Sequence, residues 1–169
     1  MYDCKTMPKQ KQIVDPVFGP LDHVVSDLWK RKLQLNFLGR KSTVSLTIDI
    51  SPKRGIEPNQ ISAFQVFTGH QKEILHEAET AIFDYYASVC EDYRAQRGVT
   101  NPRDKMIPIP KNRPTVFKLI TPVGVTFPYV CAVPTFGILC DCTWEEEHGL
   151  AVKYEGRKLV EVGFQDIVL

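Results

Sequence analysis

The chain of 169 residues has no excess of either charge: 21 Lys and Arg stand against 20 Asp and Glu, a formal net charge of +1. That balance excludes a dedicated nucleic-acid coat and a polybasic membrane binder. No apolar run approaches the ~18–20 residues of a membrane-spanning helix. The opening Met1-Tyr2-Asp3-Cys4-Lys5-Thr6-Met7-Pro8 lacks the apolar stretch of a secretory signal, so a cytoplasmic location is expected. The cysteines, Cys4, Cys90, Cys131, Cys140 and Cys142, are odd in number and have no disulfide spacing. G-x-S-x-G, P-loop and G-x-G-x-x-G patterns are all missing. No catalytic residue, cofactor or metal site is therefore expected, and the reading leans away from an enzyme. What is present is ordinary: 43 % hydrophobic and 24 % charged residues. A chain of this length buries roughly 70 % of its unfolded surface and needs no disulfide or metal to fold.

Patterning divides the chain into a polar, Lys/Gln-rich arm over 1–16 and one domain over 17–169. Leu33, Leu35 and Phe37 alternate with polar residues, as do Val44, Leu46, Ile48 and Ile50, which predicts two half-buried strands joined through Gly39. Trp29 is expected at the start of the first strand. Ile61, Phe64 and Phe67 share a helical face, and Gly69 interrupts it. A longer helix is predicted over Gln71–Gln96, where Ile74, Ala78, Ile82, Tyr85, Val89 and Tyr93 recur at helical spacing. Arg94 and Arg97 suit its C-terminal dipole. Residues 98–115 hold four of the twelve prolines and read as loop. A helical turn is expected over Thr115–Ile120, ended by Pro122-Val123-Gly124. Strands follow at Val125–Tyr129, Phe136–Cys142, Leu150–Tyr154 and Val160–Phe164, with a tight turn at Glu155-Gly156-Arg157-Lys158. Helices grouped between strands predict an α+β fold, an antiparallel sheet with the long central helix packed on one face.

Thr143-Trp144-Glu145-Glu146-Glu147-His148-Gly149-Leu150 joins two of these strands and reads as a loop. Three adjacent carboxylates repel unless a cation or basic partner is present. His148 beside Glu147 has the composition of an acid–base pair, and Gly149 has the freedom to turn the chain at positive φ. One reading makes Glu146, Glu147 and His148 a metal, substrate or partner site. The other makes them a solvated connection with Trp144 packed inward. Cys140-x-Cys142 places two thiols on one strand face, as buried apolar residues or as half of a metal site with His148.

Trp144-Glu145-Glu146-Glu147-His148-Gly149-Leu150-Ala151-Val152, followed by Val162-Gly163, resembles the C-terminal signature of a family of uncharacterised bacterial domains, Trp-acidic-Glu-Glu-His-Gly-Leu-Gly-Val. Phe18-Gly19-Pro20-Leu21, Trp29 and a long helix carrying Tyr85-Tyr86 match the layout of that family. The resemblance implies a setting among bacterial toxin–immunity genes and no settled activity.

Charge is distributed in blocks: net +5 over 1–54, −4 over 55–97, +4 over 98–135 and −4 over 136–169. An acidic patch of Asp141, Glu145, Glu146, Glu147 and Glu161, with Trp144, His148 and Gly149, would complement a basic partner and speed its association. The expected function is a non-enzymatic protein-binding module, an immunity protein that neutralises a basic toxin domain. The alternatives are a metal-assisted hydrolase using Glu146, Glu147 and His148, and a nucleic-acid binder using residues 30–41. The basic runs Lys30-Arg31-Lys32 and Arg40-Lys41 lack the interleaved aromatics that base stacking requires, so nucleic acid is disfavoured. No membrane partner is expected.

Overall fold

Among the described residues, eight strands pair in strict chain order to form a single sheet. They are β1 (Gln12–Asp15), β2 (Gly19–Val25), β3 (Leu28–Phe37), β4 (Arg40–Asp49), β5 (Ile120–Phe127), β6 (Thr135–Cys142), β7 (Glu145–Glu155) and β8 (Lys158–Gly163). The computed structural model describes residues 12–129 and 131–168. Helices α1 (Pro58–Gly69), α2 (Gln71–Gln96) and α3 (Arg113–Phe117) lie between β4 and β5, and a 3-10 turn, Gln165–Val168, follows β8. The fold is α+β, with a mostly antiparallel sheet.

One junction departs from the expected antiparallel sheet: β4 and β5 are parallel. Parallel neighbours cannot be joined by a tight hairpin, and the three helices supply the crossover. The sheet is also larger than its alternation patterns predict, because β1 is only four residues long and β2 opens on Gly19 and Pro20. The arm expected over 1–16 lies outside the described residues as far as residue 11, and Gln12–Asp15 form β1. Pro122-Val123-Gly124 does not end a helix but lies inside β5, where a register shift falls between Pro122 and Gly124. A bulge is where a strand tolerates a residue without an N–H.

Leu46, Val125, Ile138 and Val152 are neighbours in register across four strands, and each is fully buried. Phe64 and Phe67 of α1 meet Phe127 edge-on, at centroid distances of 5.6 and 6.2 Å, and Phe67 meets Phe136 at 5.5 Å. Such pairs contribute about 0.5–1.5 kcal/mol each beyond burial. Buried Gln60 ties the start of α1 to the strand ends, donating to the carbonyls of Asp49 (2.8 Å) and Phe127 (2.9 Å). The Tyr154 ring stacks on Phe136 at 4.9 Å, and its hydroxyl donates to the Ile74 carbonyl of α2 at 3.0 Å.

Along α2 the buried row is Ile74, Ala78, Ile82, Tyr86, Cys90 and Arg94, with Leu75 beside it. Tyr85, Val89 and Tyr93, expected at the centre of the stripe, flank it half-buried. Arg94 is thus a core residue rather than a dipole partner. Its guanidinium donates to the carbonyls of Ile107 (2.5 Å) and Asn101 (2.8 Å), which holds the proline-rich loop against the helix.

The 3-10 turn packs directly on β6 and β7. A Cβ on Gly137 would stand 2.6 Å from a Val168 methyl, too close for two carbons. Gly137→Ala should therefore lift the turn and cost about 1–3 kcal/mol. Adding Val168→Gly, which removes the Val168 Cβ at 2.8 Å along with both methyls, should offset part of that loss, and a urea-denaturation double-mutant cycle measures the coupling.

Candidate functional site

The acidic segment is largely strand, not loop. Only Thr143 and Trp144 separate β6 from β7. Cys142 pairs with Glu145 and Cys140 with Leu150, so Asp141 alone faces Glu146, Glu147, His148 and Gly149. The extra residues form a wide bulge at the edge of an otherwise regular ladder.

Trp144 anchors the turn. It is 1 % exposed and tilts against Tyr86 of α2 at 4.6 Å. The Arg97 guanidinium donates to the Trp144 carbonyl at 3.0 Å. Thr143 donates its N–H to the Leu119 carbonyl (3.0 Å) and its hydroxyl to the Met106 carbonyl (2.6 Å). The turn is thereby fixed to α2, to the proline-rich loop and to the segment before β5.

Glu145 organises the bulge. Its Oε1 accepts from the N–H groups of Glu147 and His148 at 3.3 Å, and lies 3.2 Å from His148 Nδ1. Its Oε2 accepts the Tyr93 hydroxyl at 3.2 Å. The carboxylate that meets the His148 ring is thus Glu145 rather than the adjacent Glu147. Burial pushes the Glu145 carboxyl up, but the bonds from His148, Tyr93 and Glu147 outweigh it and hold it below its ordinary value. The same environment, led by burial and followed by the Glu145 charge, pushes the Tyr93 phenol up to about 12.

Gly149 closes the bulge at φ +59°. A Cβ there would stand 2.3 Å from Gln165 Nε2 and 2.8 Å from the Cys140 carbonyl, which Gln165 itself donates to at 2.9 Å. Both the positive φ and this close approach require glycine. The His148 ring stacks on Phe164 at 5.1 Å.

What remains outward is acidic. Asp141, Glu146 and Glu147 are exposed. Asp141 and Glu146 flank a depression of about 330 Å³ that Thr121 and Thr143 also line. Glu161 stands beside Lys153 in the β7–β8 register, apart from the bulge. Cys140 and Cys142 are buried in the core. Burial pushes both thiols up, that of Cys142 to about 12. Among the described residues, no three His, Cys, Asp or Glu side chains converge to hold a metal ion.

Residues 17–169 match the profile of a domain of unknown function, DUF6985. The chain belongs to this family. No curated protein and no solved structure matches it. In this DUF6985 domain, the segment that the sequence singles out as a loop is a bulged strand, and the groups that shape it lie elsewhere in the chain. Tyr93 was legible only as part of a stripe, and Arg97 only as a helix end. Phe164, expected at the end of the last strand, falls just past β8, and nothing local marks Gln165 as the side chain that packs on Gly149.

Glu145 gives the DUF6985 bulge a pH dependence of definite sign. Its folded pKa is depressed, so its stabilisation is complete above the ordinary value of 4.5 and is lost as pH falls through the folded value. Glu145→Gln should lose about 1–2 kcal/mol at neutral pH, as charge-assisted bonds become neutral ones. It should also lack this acid-side fall, measured by urea denaturation across pH 3 to 7 at roughly half-unit steps.

Proposed function

We propose that this domain is a protein-binding module whose acidic rim, Asp141, Glu146 and Glu147, docks a basic protein. In its finer form the proposal is an immunity protein of the cytoplasm that neutralises a cognate bacterial toxin. The observation that carries it is a division of labour within one segment. Trp144, Glu145 and Gly149 are committed to the fold, while the neighbouring carboxylates are left in solvent around the Asp141–Glu146 depression. A depression with two carboxylates and two threonine hydroxyls suits a lysine or arginine side chain from a partner. His148, flat on Phe164, adds an aromatic shelf beside it. In the same reading α2 packs on one face of the sheet and gives this rim a rigid back.

The test is binding to the toxin domain encoded beside this gene. Wild type should bind at nanomolar strength and protect cells that express the toxin. Glu146→Lys with Glu147→Lys should weaken binding about tenfold or more, chiefly through slower association, and flatten its salt dependence. Both residues are exposed, so thermal melting should be unchanged. No binding and no protection would overturn the proposal.

A further inference from the structure

A second surface lies under the β3–β4 hairpin tip, on the cationic side of the molecule. Two cavities meet there, one of about 610 Å³ and one of about 770 Å³. Asn36, Lys41 and Glu79 line both, so the two form one groove. Its apolar lining comes from Leu35 and Leu75 in one half, and from Leu38, Pro114 and Phe117 in the other. Five cations line it: Arg40, Lys41, Lys72, Arg113 and Lys118. None of the five has an ion-pair partner among the described residues.

Two of these cations are held in place by uncharged groups. Arg40 donates to the carbonyls of Phe117 and Ile120, and Arg113 donates to the Thr80 hydroxyl at 2.9 Å. Their charge is therefore positioned but not neutralised. Among the described residues Glu79 is the one carboxylate in the lining, and its Oε1 is engaged by the Leu38 N–H at 2.7 Å. That bond holds a strained turn. Leu38 is buried at φ +55°, a conformation that costs a side chain of this size about 1–2 kcal/mol. The hairpin tip thus keeps a costly shape over the groove, stabilised from α2.

We infer that this groove is a docking surface for an acidic segment of another protein, one whose carboxylates meet the five cations. The positioned guanidiniums fit carboxylates, and the lysines supply long-range attraction. Nucleic acid fits less well, because among the described residues the lining offers a single exposed ring, the imidazole of His76, where base stacking along a strand needs several: Phe117 is 9 % exposed. The chain's own residues 1–11 have the wrong sign, with Lys5, Lys9 and Lys11 against Asp3. The groove shares no residue with the acidic rim, so this inference and the proposed function stand or fall separately.

Fluorescence anisotropy of the full chain with a labelled peptide of alternating Glu and Leu tests it. The peptide should bind at low salt and weaken as salt rises. Lys41→Glu with Lys72→Glu should weaken it about tenfold or more. Lys118→Glu, in the other half of the groove, should weaken it as well, and Glu146→Lys should not. The substituted lysines are exposed, and matched thermal melts verify folding. The inference is overturned by any of four results: no binding at low salt, unchanged affinity in the lysine variants, equal or tighter binding of an oligouridylate of matched charge, or self-association that Lys41→Glu with Lys72→Glu abolishes. The last result would give the groove to a second copy of the chain.

Discussion

Helix α2 is where the strand ends are tied together. At 26 residues it spans about 39 Å, and successive side chains reach separate segments along that length. Glu77 pairs with Arg157 at the β7–β8 turn, at 2.8 Å. Glu79 accepts the Leu38 N–H at the β3–β4 turn. Tyr86 backs Trp144 and donates to the Pro108 carbonyl at 2.6 Å. Tyr93 meets Glu145, Arg94 holds the proline-rich loop, and Arg97 caps the Trp144 carbonyl. Several of these bonds satisfy backbone groups that a turn would otherwise leave open. Without the helix, the hairpin tip, the acidic bulge and the loop over 98–112 would each lose a fixed position.

The parallel β4–β5 junction has an electrostatic consequence. It brings the start of β5, just after Lys118, beside the start of β4 at Arg40 and Lys41. Two positive blocks far apart in sequence, 1–54 and 98–135, therefore meet in one groove. The acidic block follows in β6 and β7, where Thr121 faces Asp141 across the β5–β6 ladder. A chain of net charge +1 thus carries both signs in separate places at one end of its sheet. Surfaces of this kind set which partner approaches and how fast, more than how tightly it is finally held.

The bulge shows how folding chemistry and recognition chemistry share a sequence. Of three consecutive glutamates, the first is an internal acceptor and the next two are solvated. Composition cannot distinguish them, since each is a glutamate within the same strand. The difference arises because Glu145 lies opposite Cys142 in the ladder, where Tyr93 and the following N–H groups converge on it. The stripe on α2 has the same character. Tyr85, Val89 and Tyr93 have helical spacing, yet the buried row runs through Tyr86, Cys90 and Arg94. Rotation of a helix by a fraction of a turn depends on what it packs against, and a hydrophobicity count discounts an arginine whose charge is satisfied by carbonyls.

The amino-acid sequence by itself determined the long helix, the alternating strands and the α+β class, because periodicity of 3.6 or 2 is a local property of the chain. It also marked the Trp144–Gly149 segment and the need for glycine at its end. Only the tertiary structure decided that β4 and β5 run parallel, that Arg94 is buried, and that Glu145 rather than Glu147 holds His148. Each of these depends on contacts between residues distant in sequence, such as Gln165 against Gly149 and Glu79 against Leu38. Their energies come from the geometry of approach, which residue order alone does not specify.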